Sequence, residues 1–127
     1  MIELILPFPP TVNSYYTHTR NGVFISKKGK VFRGQVAAEV LNQLGGTFAT
    51  LEDTIYLEVL LSMPDRRKRD LDNYMKALLD ALTHASLWED DSQIDQLSIF
   101  RGPPSSPGSV TLRVYYPAGP IISQLVD

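Results

Sequence analysis

The 127-residue chain contains no cysteine. That absence excludes a thiol nucleophile, a disulfide framework and a cysteine-held zinc site, and it favours an intracellular setting. Histidine is scarce: His18 and His84 stand alone, with no metal-ligand spacing between them. No apolar run approaches a membrane span, and Met1 to Pro10 lacks the basic start and small-residue cleavage site of a signal peptide. Neither membrane insertion nor export is expected, and the expected location is the cytoplasm. Net charge is small as well, −2 with a pI near 5.6, which argues against nonspecific coating of nucleic acid. The apolar content of 43% is ordinary for a globular protein, and a chain of this size buries enough surface to fold without staples. A single domain over residues 1–127 is therefore expected, with the tail from about residue 117 outside any assigned element.

The small net charge conceals a strongly uneven distribution. From His18 to Val36 there are five basic residues, Arg20, Lys27, Lys28, Lys30 and Arg33, and no acidic one. Arg66, Arg67, Lys68 and Arg69 stand consecutively. Eight of the fourteen acids, among them Asp65, Asp70, Asp72, Asp80, Asp90 and Asp91, crowd the stretch from Asp65 to Asp95. Charges of both signs are thus concentrated in one segment.

Periodicity places that segment on secondary structure. Ile2 to Leu6 reads as a strand stopped by Pro7, Pro9 and Pro10. Asn21-Gly22 before Val23-Phe24-Ile25 predicts a hairpin arm between about Tyr15 and Ser26, turned by a type I′ turn. Phe32, Val36 and Val40 predict an amphipathic helix from Lys30 to Leu44, ended by Gly45-Gly46. Ile55 to Met63 alternates as a strand. Leu71, Met75, Leu78, Leu79 and Leu82 define one face of a second helix, with Asp72, Lys76 and Asp80 along the other. Ile94 to Arg101 and Val110 to Tyr116 complete the strands. The order predicts an α+β domain: a mixed β-sheet with two helices packed on one face and a β-hairpin arm near the N-terminus.

The chemistry-bearing residues lie around the second helix. Taken singly, Asp70 reads as a helix N-cap, Asp72 as a first-turn charge, and the Arg/Lys run as a solvated loop with local ion pairs. Taken together they read differently, because a helix returning so that Trp88 to Asp91 lies over its start brings Asp91 to Asp70 and Asp72. Two such charges about 4 Å apart repel by roughly 4 kcal/mol at an effective dielectric of 20, and a divalent cation removes that repulsion. Carboxylate oxygens without cysteine or clustered histidine select Mg²⁺ or Mn²⁺ over zinc. Lys76 then stabilises developing charge or orients a scissile phosphate, and a metal-activated water attacks a phosphodiester.

The run Met63-Pro64-Asp65-Arg66-Arg67-Lys68-Arg69-Asp70-Leu71-Asp72-Asn73 with Lys76, then Asp80-Ala81-Leu82 and Trp88-Glu89-Asp90-Asp91, resembles the signature of RusA-type Holliday junction resolvases. The opening Pro9-Pro10-Thr11-Val12-Asn13-Ser14-Tyr15-Tyr16 is similar to that family's N-terminus. The resemblance runs from the first strand to about Arg101. It implies a homodimeric, Mg²⁺-dependent endonuclease of bacteria and phages, with Mn²⁺ expected to substitute, that resolves four-way DNA junctions by paired symmetric nicks in recombination and repair. It carries over Asp70, Asp72 and Asp91 as metal-binding carboxylates, Lys76 as the catalytic lysine and Asp90 as an additional candidate ligand. Asn73 is expected to hold a ligand carboxylate in place. No small-molecule cofactor is implied.

Ser86 departs from the pattern, standing where the family commonly has glycine. Candidate phosphate contacts are Arg66, Arg67, Lys68 and Arg69 with Lys27, Lys28, Lys30 and Arg33, weighed against an ordinary exposed face for the second group. Tyr15 and Tyr16 read more simply as core packing than as base-stacking platforms, and Trp88 as a core anchor. Ile121, Ile122, Leu125 and Val126 have helical spacing; packing on the body, packing across a dimer and disorder all stay open for them. Two other functions compete with the resolvase reading: a nuclease of the same fold acting on other branched DNA or RNA, and a non-catalytic DNA-binding module that needs no metal.

Overall fold

A computed structural model describes residues 1–116. The tail pattern at Ile121 to Val126 lies outside the described residues. The chain runs β1 (Ile2–Pro7), α1 (Val12–Tyr15), β2 (Tyr16–Thr19), β3 (Gly22–Ile25), α2 (Lys27–Gln43), β4 (Ile55–Ser62), α3 (Met75–His84), β5 (Ile94–Arg101) and β6 (Ser109–Tyr115). Short 3-10 turns at Leu71–Tyr74 and Asp91–Gln93 precede α3 and β5. This is the expected α+β class: a mixed four-stranded sheet in the order β1-β6-β4-β5, with β2 and β3 paired separately as the arm.

Alternation along the strands makes the sheet one-sided. Leu4, Leu6, Ile55, Leu57, Val59, Leu61, Val110, Leu112 and Val114 point inward and are buried. They meet Phe32, Val36 and Val40 of α2 and Ala77, Leu78, Ala81 and Leu82 of α3 in one core. Among the described residues no helix or strand covers the opposite face, where Ile5, Leu60 and Phe100 are exposed. Among the described residues no helix is long and apolar enough to cross a membrane.

The arm forms where expected but turns differently. Thr19 pairs with Gly22, so the loop residues are Arg20 and Asn21, and neither has positive φ. A type I′ turn is therefore absent, and Gly22 itself, at φ 132°, takes the unusual conformation. α2 begins three residues earlier than its apolar spacing indicates, because Ser26 accepts from the Gly29 N–H at 3.0 Å and caps it. Gly29 has a second role: a Cβ there would stand 2.5 Å from the Tyr15 carbonyl oxygen, so only glycine lets the arm approach this closely. The unforeseen turn α1 starts at a Thr11 cap.

Parallel pairing fixes the geometry of everything between β4 and β5. Ile55 is opposite Ile94 and Leu61 opposite Arg101, so the chain leaving the end of β4 must return to its beginning before β5 starts. α3 makes that return. The Arg66–Asp72 segment consequently lies at one end of α3 and the Asp90-Asp91 turn at the other.

Candidate nuclease site

The basic loop after β4 is organised by Asp65. Its carboxylate accepts from the Arg67 backbone N–H at 2.9 Å, from Arg67 Nε at 3.2 Å and from the Arg69 guanidinium at both oxygens. The Arg69 hydrogen bonds, then the Arg67 backbone N–H, hold Asp65 well below the usual carboxylate pKa. Arg69 is largely covered by this pairing, and Arg101 ties the loop to the end of β5 by donating to the Arg69 carbonyl at 2.7 Å. Arg66 and Lys68 are exposed and form no ion pair among the described residues. The sequence contained a signal for this arrangement, an aspartate two residues before Arg67 and four before Arg69.

Beside the loop lies a cleft of about 570 Å³. Arg67, Lys68, Arg69 and Lys28 supply its cations, and Asp70 and Asn73 stand in its wall. Phe8 and Tyr74, with ring centroids 4.9 Å apart, back it with apolar surface. The two basic groups, distant in sequence, therefore meet here through Lys28. Lys27 and Lys30 are exposed on the first turn of α2.

Arg33 is placed otherwise. It points inward, donating to Asp80 Oδ2 through Nη2 at 2.6 Å and to the Tyr15 hydroxyl through Nε at 2.8 Å, while that hydroxyl donates to the same Asp80 oxygen. Burial would raise the Asp80 pKa, but the Tyr15 and Arg33 hydrogen bonds outweigh it and leave it lowered. For Tyr15, burial and then the Asp80 hydrogen bond push the phenol well above its ordinary value. Tyr15 is fully buried, so the core-packing reading of this residue holds. The trio fastens the arm and α2 to α3.

Asp70 and Asp72 are exposed and different in kind. Asp70 occupies the N-cap position of the Leu71–Tyr74 turn, yet its side chain makes no capping bond. Neither carboxylate has a hydrogen-bond or ion-pair partner among the described residues, although four cations precede them in the chain. Lys76 is exposed in the first turn of α3. Asn73 faces the cleft and donates its backbone N–H to the Asp70 carbonyl at 3.3 Å.

Asp91 does not join them. Its Oδ1 accepts from the Thr83 hydroxyl at 3.2 Å, and Thr83 stands eleven positions after Asp72, roughly 17 Å along the helix. The expected return of Trp88 to Asp91 over the start of the second helix is overturned by the parallel β4-β5 crossover, which brings that turn to the other end. Asp90 caps the turn, accepting from Ser92, while the Gln93 amide oxygen accepts from the Glu89 and Asp90 N–H groups at 2.8 and 2.9 Å. Gln93 also donates to the Leu51 and Asp53 carbonyls, anchoring the turn to the start of β4. The Asp-x-x-Gln spacing was legible in the sequence as a capping box.

The donor set has the right chemistry for a hard divalent cation, being all carboxylate. Its geometry within one chain does not close: among the described residues no three acidic or histidine side chains are gathered closely enough to hold a metal ion. Mg²⁺ takes oxygens at about 2.1 Å, which the separation of Asp91 from Asp70 and Asp72 does not permit.

Ser86 explains how the chain leaves α3. It has φ 63°, the only positive φ among the described non-glycine residues. The left-handed conformation that a glycine would supply is therefore adopted by a serine, which turns the chain from α3 towards Leu87 and the acidic turn.

An exposed cleft that gathers cations from two distant segments, with the unspent Asp70 in its wall, has the charge to suit a polyanionic backbone. Comparison with known proteins sharpens this. Residues 7–115 match the family described as Endodeoxyribonuclease RusA. A crossover junction endodeoxyribonuclease of Enterobacteria phage HK97 is 38% identical over 100 residues, covering 79% of this chain and 82% of the relative. The corresponding protein of Escherichia coli K12 is 37% identical over 112 residues, covering 88% and 92%. The chain belongs to the RusA endodeoxyribonuclease family.

Proposed function

We propose that the chain is a Mg²⁺-dependent, structure-specific endonuclease that cuts four-way DNA junctions by paired symmetric nicks, serving recombination and repair. The observation that carries this reading is a pair of unspent carboxylates, Asp70 in the wall of the basic cleft and Asp72 two residues further along the chain. A carboxylate next to free cations is ordinarily drawn into ion pairs or a cap; leaving two uncommitted preserves oxygens for a ligand. The crossover junction activity named for the relatives supplies the substrate class.

Arg66, Lys68 and Lys28 hold backbone phosphates, with Lys27 and Lys30 extending the track along α2, and each contact steepens the salt dependence by about 0.9 in log-log slope. Lys76, four residues on from Asp72, places positive charge where the attacked phosphate gains negative charge. Asp70 and Asp72 would hold a Mg²⁺, or Mn²⁺ in its place, which would supply Lewis-acid polarisation of a phosphate oxygen and of an attacking water. Because one chain does not gather Asp70, Asp72 and Asp91, the proposal includes a two-fold homodimer, which doubles the carboxylates available and matches the two equivalent strands of a junction.

The test is cleavage of a synthetic four-way junction beside a linear duplex of matching sequence, each with Mg²⁺ and with EDTA. Sedimentation of the same preparation reads the oligomeric state. Paired nicks confined to the junction, lost in EDTA, from a dimeric protein are expected. Binding without nicking would overturn the enzymatic reading, and equal nicking of the duplex would overturn the structural selectivity.

A further inference from the structure

Thr83 is a residue to which neither the motif nor the spacing assigned any role. Its hydroxyl lies at the centre of three contacts: it accepts from the Trp88 indole N–H at 2.7 Å, and it lies 3.0 Å from the Leu79 carbonyl and 3.2 Å from Asp91 Oδ1. Trp88 is almost wholly buried and is the only tryptophan in the chain. A hydroxyl has one proton to give. With the indole occupying one lone pair, that proton is directed to either the helix carbonyl or the carboxylate. An ionised carboxylate can only accept, and a hydrogen bond to it is roughly twice as strong as one to a neutral carbonyl.

We propose that Thr83, oriented by the buried Trp88 indole, is the positioning residue for the Asp91 carboxylate. The inference rests on the reading that Asp91 serves the nuclease reaction. The Asp90–Gln93 capping box fixes the backbone of the acidic turn, but it makes no contact with the Asp91 side chain. The carboxylate is aimed from the core instead. Trp88 cannot shift without disturbing the core, so the hydroxyl it holds is a rigid reference point. Asp91 is thereby kept in one orientation before any substrate arrives.

Two measurements test this. In the first, Thr83→Val removes the hydroxyl at nearly constant volume, and Thr83→Ser restores it. Junction cleavage should lose about 10- to 100-fold in kcat in the valine variant with KM little changed, and the serine variant should recover most of the loss. A valine variant within about two-fold of the parent, or a serine variant as impaired as the valine one, would overturn the proposal. In the second, the single indole N–H resonance of Trp88 is followed by NMR in protein without DNA. Asp91→Asn should move that resonance when residue 83 is threonine, and the displacement should shrink in the Thr83→Val background. Equal displacements in both backgrounds would overturn the relay. The second measurement needs no activity, so if the parent cuts no junction the nuclease reading falls while the indole coupling alone decides the role of Thr83.

Discussion

Asp72 and Asp80 stand eight residues apart, one in the 3-10 turn that leads into α3 and the other within α3, and their surroundings are opposite. Asp80 is half-buried, and one of its oxygens takes hydrogen bonds from Tyr15 and from both Arg33 Nε and Nη2. Asp72, like Asp70, is exposed and has no partner among the described residues, although the richest run of cations in the chain ends immediately before Asp70. The difference separates two uses of the same functional group. A carboxylate that is fully partnered holds elements together; one that is kept free beside available cations contributes little to stability and leaves its oxygens open to a ligand. Asp65 is what makes the second case possible, because it takes up Arg67 and Arg69 and leaves Asp70 and Asp72 unclaimed.

The comparison is sharpened most by removing the free carboxylates. On the proposed function, Asp70→Asn or Asp72→Asn should reduce junction cleavage by about 10³-fold or more while junction binding is kept or tightened, since an anion is removed beside a basic surface. Thermal stability should stay within about 0.5 kcal/mol of the parent. A variant that is destabilised but still cleaves would place that aspartate with Asp80 on the structural side.

The converse substitution is Asp80→Asn, which should cost about 2 kcal/mol of stability by leaving the Arg33 guanidinium half-buried and unneutralised. Its pH signature has a definite sign. The folded-state pKa of Asp80 is depressed, so its contribution is present above the ordinary carboxylate value near 4 and is lost as pH falls through the folded value. The Tyr15 phenol is raised, so its contribution is complete below its ordinary value near 10 and is lost as pH climbs through the folded one. Denaturant unfolding of Asp80→Asn should therefore show a shallower stability decline below about pH 4 than the parent. Identical acid limbs in the two proteins would remove Asp80 from the structural class.

The smallest effect is expected at Ser86. Ser86→Gly relieves a left-handed φ that costs an L-residue about 1 kcal/mol, so the midpoint of thermal unfolding should rise by a few degrees without loss of cleavage. A fall in stability would mean that the serine side chain repays its strained backbone.

Much of the fold was legible because its signals are local. The Ile94 to Arg101 strand matches its sequence reading at both ends, and the apolar spacing from Leu71 to Leu82 locates α3, although its first turn is 3-10. Boundaries moved where side chains cap: Ser26 draws α2 back, and Thr11 starts a helical turn hidden by the surrounding prolines. Of the site, residue identities were legible and partnerships were not. Arg33 read as one more exposed cation, yet the packing of α2 on α3 turns it to Asp80. Arg69 read like its neighbours in the basic run, yet Asp65 covers it.

By itself the sequence determined the α+β class, the order of the strands and the two long helices, the absence of thiol chemistry and the short segment in which the charged residues concentrate. These follow from periodicity, turn residues and composition, each of which acts over a few positions. Only the tertiary structure decided which charges are spent and which are free, and that Asp91 lies at the far end of α3 from Asp70 and Asp72. A parallel strand pair obliges the chain to travel the length of the sheet between its two members, and no local pattern records how far that carries one carboxylate from another.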